Sequence, residues 1–396
     1  MIGGPHALAP ECELLICCAR LDPGPARSER IRQLLEGPLD ADYLLGLASR
    51  HGLRPLLYRH LNAVRDNSIP RDLHIQLWAA QELRGRRNHT MAAELARVLC
   101  LFDSSGIPAI PYKGPALAQA VYGDVALREF CDLDILLREQ DVLAAKALLI
   151  AHGYAPNYTL GPAAEATFMS SGLQYHLALT HAASDIMVEL HWKTDPACAV
   201  ELLLGSQLWD RPKTASLAGT ALRGFAASEL LLILCLHGSK HHWSSLGWLV
   251  DIAELIRQNA AIDWDWMMLA ASEMGARRRL LLGLYLVKAL LEADVPAEIL
   301  ANAVASGVEK IAIDIAAQMF VALPSQPGVF AALKRDLKLC DTAGQQLSHC
   351  WNVIFAPSVF ELSRPLPRYL SFLYVPARLG RLLLKHRPRL GSGKPR

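Results

Sequence analysis

The sequence predicts an α+β protein in which a small β-sheet unit lies between two helical regions. Apolar residues keep helical spacing up to about Ser105. The stretch from Ile107 to Trp192 instead breaks into short apolar runs bounded by turn residues, and helical spacing resumes from about Ala226. The expected division is a helical region over 1–105, an αβ core over 106–215, a helical domain over 216–325, and a Pro-punctuated region with a basic tail over 326–396. At 396 residues the chain is long enough for two or three domains with a substantial core.

Apolar residues make up 52% of the chain and mean hydropathy is +0.20, which excludes a disordered protein. A net charge of +2 gives no global electrostatic case for nucleic acid, and no sequence-specific binding to it is expected. Nine scattered cysteines without a C-x-x-C pair suggest neither a disulfide framework nor a thiolate zinc site, so the reduced cytoplasm is the expected compartment. Glu11 and Glu13 interrupt the N-terminal apolar patch, which argues against a signal peptide. The apolar run Leu230–Leu236 falls short of the about 20 residues that span a bilayer.

Taken in order, Asp40 is placed to cap a helix carrying Leu44, Leu45, Leu47 and Ala48, which Gly52 ends. Pro70 begins a long helix through Trp78, Leu83, Met91, Leu95, Val98 and Leu101. Its Arg84, Arg86 and Arg87 read first as a solvated face and second as a phosphate contact. Ile107–Tyr112, interrupted by Pro, suits an edge strand, and Ala116–Val121 a short helix. Asp132–Leu137 is a strand, and Val142–His152 a helix stopped by Gly153. Tyr175–Thr180 and Asp185–Trp192 form a hairpin. Helices are then expected at Glu229–Trp243, Leu246–Arg257, from Asp263 as a cap, and at Arg277–Glu292, Pro296–Ala305 and Ile311–Ala322. Pro324, Pro327, Pro357 and Pro365 punctuate a looser stretch before a basic amphipathic segment at Tyr369–Leu384.

The candidate chemistry centres on Asp132-Leu133-Asp134. Strand alternation puts both aspartates on one face and Leu133, Ile135 and Leu137 on the other. A solvated strand end is the plain reading of so short a motif. The chemical reading adds Glu189, which shares a face with His191, so that three carboxylates converge on Mg²⁺ or Mn²⁺. Two such ions would bind the triphosphate of an NTP and activate an attacking hydroxyl. Lys113 and Gly114 precede the short helix and suit phosphate, and Arg128, four residues before Asp132, could clamp phosphate bidentately. His191 either orients Glu189 or serves as a base. His237 and His241 stand four apart on one helix face, but Gly238 takes the place of the Glu in an H-E-x-x-H zinc site. A structural histidine pair, a zinc site, and a phosphate contact through Lys240 oriented by Asp251 all remain open. Trp243 and Trp248 belong to the core or line the cleft.

These features resemble the nucleotidyltransferase superfamily that includes DNA polymerase β, poly(A) polymerase and aminoglycoside nucleotidyltransferases. That superfamily carries a Gly-Ser or Gly-Gly loop, a D-x-D/E strand and a third carboxylate on a neighbouring strand. More narrowly, the chain is similar to the bacterial uncharacterised nucleotidyltransferase family. The matching features are Lys113-Gly114, Arg128, Asp132-Leu133-Asp134, Glu189-Leu190-His191-Trp192, and Leu230–His237 followed by Lys240-His241-His242-Trp243, with Asp251 and Asp263-Trp264-Asp265 beyond. The similarity runs from about Leu14 to Leu383, and departs from the superfamily loop at Pro115, which offers neither a backbone nor a hydroxyl donor.

The resemblance implies a small mixed-sheet core flanked by helical domains, and a helical domain that closes over nucleotide and brings Lys240 to it. The implied reaction moves a nucleoside monophosphate from NTP to a hydroxyl or phosphate acceptor (a small molecule, peptide or saccharide), with pyrophosphate released. Two other readings stand beside it: a non-catalytic nucleotide- or partner-binding protein on this fold, and transfer of a glycosyl group from a nucleotide sugar. From Arg364 to Arg396 there are nine Lys/Arg and no Asp or Glu. With Leu379, Leu382, Leu383 and Leu384, that tail is either a solvated end or a weak contact to an anionic membrane or acceptor.

Overall fold

The computed structural model describes residues 8–64, 69–171, 174–211, 213, 215–259, 261–321, 329–356, 362, 374–376, 378 and 380. Apart from those last few positions the basic tail, and with it the amphipathic segment expected at Tyr369–Leu384, lies outside the described residues, as do Pro324, Pro327, Pro357 and Pro365.

Helices α1 (Pro10–Cys18), α2 (Gly24–Leu35), α3 (Ala41–Arg50), α4 (Arg54–Val64) and α5 (Arg71–Ser104) open the chain. Asp40 caps α3 by accepting from the Tyr43 N–H at 2.9 Å, as its position before the apolar run predicts. Next come β1 (Ala109–Pro111), α6 (Gly114–Leu117), β2 (Asp132–Leu137), α7 (Val142–Ala151), β3 (Tyr154–Pro156), α8 (Pro162–Met169), β4 (His176–His181) and β5 (Met187–His191). The strands form one mixed sheet in the order β1-β2-β5-β4-β3, in which only β2 and β5 run parallel. Pro111 sits on the edge strand, where its missing N–H costs no ladder bond.

Short helices α9 (Val200–Leu204) and α10 (Gln207–Asp210) and the hairpin β6 (Ala215–Leu217)/β7 (Thr220–Leu222) lead into the second helical region. That region holds α11 (Ala227–Lys240), α12 (Leu246–Gln258), α13 (Trp264–Glu273), α14 (Arg277–Leu291), α15 (Ala297–Ala305) and α16 (Val308–Met319). Helices α17 (Val329–Leu339) and α18 (Ala343–Phe355) follow where only a looser stretch was expected. A Thr342/Gln345 capping box, which the sequence carries openly, starts α18.

The sheet lies between two apolar cores. Leu133, Ile135 and Leu137 pack with Val188, Leu190 and the second half of α5, from Met91 to Phe102. On the other face, Ile110, Tyr112 and Leu136 join a larger core in which α1–α4 and α11–α16 pack together. The first and last helical stretches therefore share one interior. His51 fastens them: its carbonyl accepts from Ser245 Oγ at 3.0 Å and from the Gly247 N–H at 3.1 Å, and its Nδ1 accepts from the Leu246 N–H at 3.1 Å.

One helix ends earlier than its apolar pattern suggests. The expectation was Glu229–Trp243, but α11 stops at Lys240, and His242 and Trp243 take left-handed φ values of 54° and 52°. The reversal folds the Trp243 indole back against Gly238, leaving the side chain 1% exposed. A Cβ on Gly238 would lie inside the van der Waals radius of that ring, and one on Gly283 would meet it at 2.9 Å. Trp243 is therefore core, and Gly238 is the space it needs.

Gly238→Ala should accordingly destabilise the protein. The substitution gains about 1 kcal/mol of helix propensity, but overpacking a ring held on both sides costs about 1–3 kcal/mol or more. A lowered denaturation midpoint with altered tryptophan fluorescence is the expected result, and an unchanged midpoint would refute the packing account.

Candidate functional site

The site is built on the adjacent parallel strands β2 and β5. Their register sets Asp134 beside Glu189 and Leu136 beside His191, and the antiparallel neighbour β4 sets His176 opposite His191. Side chains at paired positions project to the same side, so alternation gathers Asp132, Asp134, Glu189, His191 and His176 on one face. The apolar partners predicted for the other face are there.

Asp134 is 2% exposed, so its charge needs compensation at short range. Lys113 Nζ lies 2.6 Å from Asp134 Oδ1, and His191 Nε2 lies 3.1 Å from the same oxygen and 3.2 Å from Glu189 Oε2. Burial opposes ionisation of Asp134, yet the Lys113 ammonium and His191 outweigh it and hold the carboxyl well below the usual carboxylate range. Asp132 has no such partner. Burial and the Asp134 charge push it up to about 6, with Lys113 pulling the other way. Burial likewise opposes ionisation of Glu189, and contact with His191 and the charge of His176 more than offset it.

Lys113 reaches Asp134 because the chain turns sharply at Gly114, where φ is +54°. A Cβ there would stand 2.8 Å from the Asp132 carbonyl oxygen, so glycine is required for the turn to lie against β2. Helix α6 is only one turn long, with Pro115 in its first turn, and runs on into a π-helical turn over Ala118–Tyr122.

The C-terminal end of α11 faces this surface. Lys240 donates to the Tyr175 hydroxyl at 2.7 Å and lies 4.1 Å from the centre of its ring. Burial and the like charge of Lys113 lower Lys240 to about 8. His237 and His241 cluster with Trp248 in tilted and edge-to-face contacts, the ring centres lying 4.6 Å (His237–His241), 5.5 Å (His237–Trp248) and 5.3 Å (His241–Trp248) apart. Burial, with the nearby charge of Lys113, keeps His237 far below the usual imidazole range.

Two predicted residues are placed differently from the sequence expectation. Arg128, expected to clamp phosphate, makes its bidentate contact with Asp251: Nε and Nη2 donate to Asp251 Oδ1 and Oδ2, both at 2.9 Å. Asp251 is 2% exposed and also accepts from the Tyr122 hydroxyl at 2.7 Å, so among the described contacts it orients Arg128 and not Lys240. The Arg84–Arg87 cluster lies elsewhere on α5: Arg84 pairs with Glu129 at 3.4 Å, Arg86 with Glu82 at 3.6 Å, and Arg87 donates to the Asp185 carbonyl at 3.3 Å.

Sequence reasoning missed His176, Tyr175 and the Asp195–Arg279 pair. Arg279 donates to both Asp195 oxygens, at 3.1 and 2.7 Å, and to the Leu236 carbonyl at 2.7 Å, which braces the end of α11. His176 could have been found, because any hairpin register that keeps Leu177 and Leu179 inward puts it on the Glu189 face. The Arg279 pairing spans 84 residues and leaves no local signal.

Oxygen and imidazole donors converge here. Asp134 Oδ1 and His191 Nε2 are held by each other and by Lys113 and Glu189, while the buried Nδ1 atoms of His191 and His176 have no hydrogen-bond partner. His176, Glu189 and His191 each offer a ligand atom within 4.8 Å of the others. The donor set therefore fits a divalent cation.

The family model described as "Uncharacterised nucleotidyltransferase" matches residues 37–292. No curated protein and no solved structure matches the chain. Residues 37–292 take in the whole five-stranded sheet, both halves of the Arg128–Asp251 contact and the end of α11. With the matched segment spanning more than half its length, the chain belongs to the uncharacterised nucleotidyltransferase family.

Proposed function

We propose that the protein transfers a nucleoside monophosphate from a nucleoside triphosphate to a hydroxyl or phosphate oxygen of an acceptor molecule. The observation that carries this reading is the common face of β2 and β5, where Asp132, Asp134 and Glu189 stand together beside two lysines. Asp132, Asp134 and Glu189 are the residues assigned to hold Mg²⁺ or Mn²⁺. When bound, a pair of such ions would align the triphosphate and raise the acidity of the attacking hydroxyl.

The chain's own groups supply the surround. Lys113 and Lys240 bring positive charge to the phosphates, and Gly114 keeps the backbone beside Lys113 bare. His191, wedged between Asp134 and Glu189, fixes their orientation and fills space that water would otherwise take. Arg128 acts at one remove, through Asp251, by holding the sheet against α12. In the transfer the acceptor oxygen bonds to the α-phosphorus as the bond to the bridging oxygen breaks. Pyrophosphate leaves with that electron pair, and a hydroxyl acceptor loses its proton to solvent. Alignment and charge neutralisation supply most of the rate in such reactions.

Among the described residues no helix is long and apolar enough to cross a membrane, and all nine cysteines are free. Free thiols suit a reducing compartment such as the cytoplasm.

Two measurements test this reading. Protein incubated with each α-labelled NTP, Mg²⁺ or Mn²⁺ and a cell extract should label an acceptor and release pyrophosphate. Asp132→Asn and Asp134→Asn should each lower that rate about 100-fold or more. Transfer that persists in either variant, with its fold intact by circular dichroism, would sink the assignment. Nucleotide binding without any transfer by the wild type would favour the binding-protein reading.

The second measurement concerns Lys240. Its ammonium loses its proton as pH rises through about 8, so the attraction for triphosphate is full below that pH and declines above it. Affinity for a non-hydrolysable NTP analogue should therefore weaken between pH 7 and 9.5, by up to about tenfold per pH unit. Lys240→Gln should bind more weakly at pH 7 and lose that limb of the profile. An identical pH dependence in the variant would remove Lys240 from the nucleotide site.

A further inference from the structure

The face that carries the carboxylates also carries two imidazoles, and these give it a second kind of ligand set. His176 on β4 is paired in register with His191 on β5, and Glu189 lies two residues before His191 on the same side. His176 Nε2 is 3.6 Å from Glu189 Oε1, and His191 Nε2 is 3.2 Å from Glu189 Oε2. Two donors bound about 2.0–2.1 Å from one tetrahedral ion lie about 3.3–3.4 Å from each other. The two observed separations, each to a different oxygen of Glu189, lie on either side of that value, and one ligand atom from each residue falls within 4.8 Å of the others.

A second, independent observation points to a missing partner. His191 is 1% exposed, yet its Nδ1 has no hydrogen-bond partner, and the buried Nδ1 of His176 has none either. A buried polar atom left unpaired is destabilising. A cation on Nε2 of His191 would sit beside Asp134 Oδ1 and Glu189 Oε2, which stand 3.1 and 3.2 Å from that nitrogen.

We propose that His176, Glu189 and His191 form a binding site for a transition-series divalent cation of the Zn²⁺ class, beside the oxygen-only position offered by Asp132 and Asp134. Imidazole nitrogen suits Zn²⁺ and its neighbours in the series, whereas Mg²⁺ takes oxygen donors and keeps several waters. The face thus offers two unlike cation positions that share Glu189. This deepens the reading of the same site, and rests on that reading only through the shared carboxylate.

The test uses full-length, untagged protein stripped with a chelator, so that no added histidines compete. Zn²⁺ and Mg²⁺ are titrated calorimetrically, and Co²⁺ is followed by its visible absorption, which reports ligand type and geometry. The wild type should bind Zn²⁺ far more tightly than Mg²⁺, and Co²⁺ with a low-symmetry nitrogen–oxygen spectrum. His176→Ala and His191→Ala should weaken Zn²⁺ binding about 100-fold or more, beyond what loss of a supporting contact costs. Should His191→Ala fail to fold, His176→Gln, at a partly exposed strand end, still decides the matter.

A Zn²⁺ isotherm in a folded His176 variant that superimposes on the wild type would overturn the proposal. So would Zn²⁺ binding no tighter than Mg²⁺. Asp132→Asn separates the two readings, because it should abolish nucleotidyl transfer while leaving the histidine-dependent Zn²⁺ isotherm within about threefold of wild type, the spread expected for a single neighbouring carboxylate. Histidine-dependent Zn²⁺ binding in a protein that transfers no nucleotide would leave this site standing and remove the transferase reading.

Discussion

The structure around the sheet is organised by one demand, that Asp134 be both buried and charged. At 2% exposure its carboxylate has lost its water, and without compensation it would take up a proton. The Lys113 ammonium at 2.6 Å answers that demand, and the path of the chain follows from it. For Lys113 to point back at β2, the next residue must turn with a positive φ while pressed against the Asp132 carbonyl, which glycine alone does without a clash. Proline in the first turn then starts the helix with one orphan amide fewer. The Lys-Gly-Pro sequence is thus explained by packing against the aspartate strand, whatever it does for a phosphate.

Arg128 and Asp251 perform the complementary task of joining the sheet to the helices. Both are largely buried, at 12% and 2% exposure of the side chain, and their two parallel hydrogen bonds satisfy most of what burial removes. Asp251 outweighs the burial of Arg128 and keeps the guanidinium charged. Breaking such a pair from one side leaves a lone buried charge, at a cost of about 3–5 kcal/mol. The contact is neutral overall, and so is the Asp195–Arg279 pair behind α11. Neither therefore cancels the charges on the site face, where three carboxylates confront two lysines. That imbalance of one negative charge is what a cation would relieve.

How far the sequence revealed this depends on the range of each interaction. Strand alternation is a local rule, so the common face of Asp132 and Asp134 and the apolar face of Leu133, Ile135 and Leu137 were both legible. The hairpin put Glu189 and His191 together for the same reason. What was not legible comes from contacts between distant segments. Arg128 had the right chemistry to clamp an oxyanion, but the carboxylate it clamps is 123 residues away. Trp243 extended an apolar pattern that the chain leaves three residues earlier, because the indole fits over Gly238. Gly238 itself entered the sequence argument only as a missing glutamate. Its use is steric, and visible only once the turn is seen.

The distribution of donors on the sheet explains why the D-x-D motif understates the site. Read along β2 alone, the face offers oxygen only, which suits a hard cation. Read across the sheet, it changes from carboxylates on β2 to a carboxylate and an imidazole on β5, and then to an imidazole on β4. Glu189 occupies the middle of that gradient, with His191 Nε2 on one oxygen and His176 Nε2 nearer the other. A residue so placed couples whatever sits on its two sides, because drawing its carboxylate toward one partner moves it from the other. The softness of the donors, and with it the choice of cation, is therefore set by strands that the motif does not include.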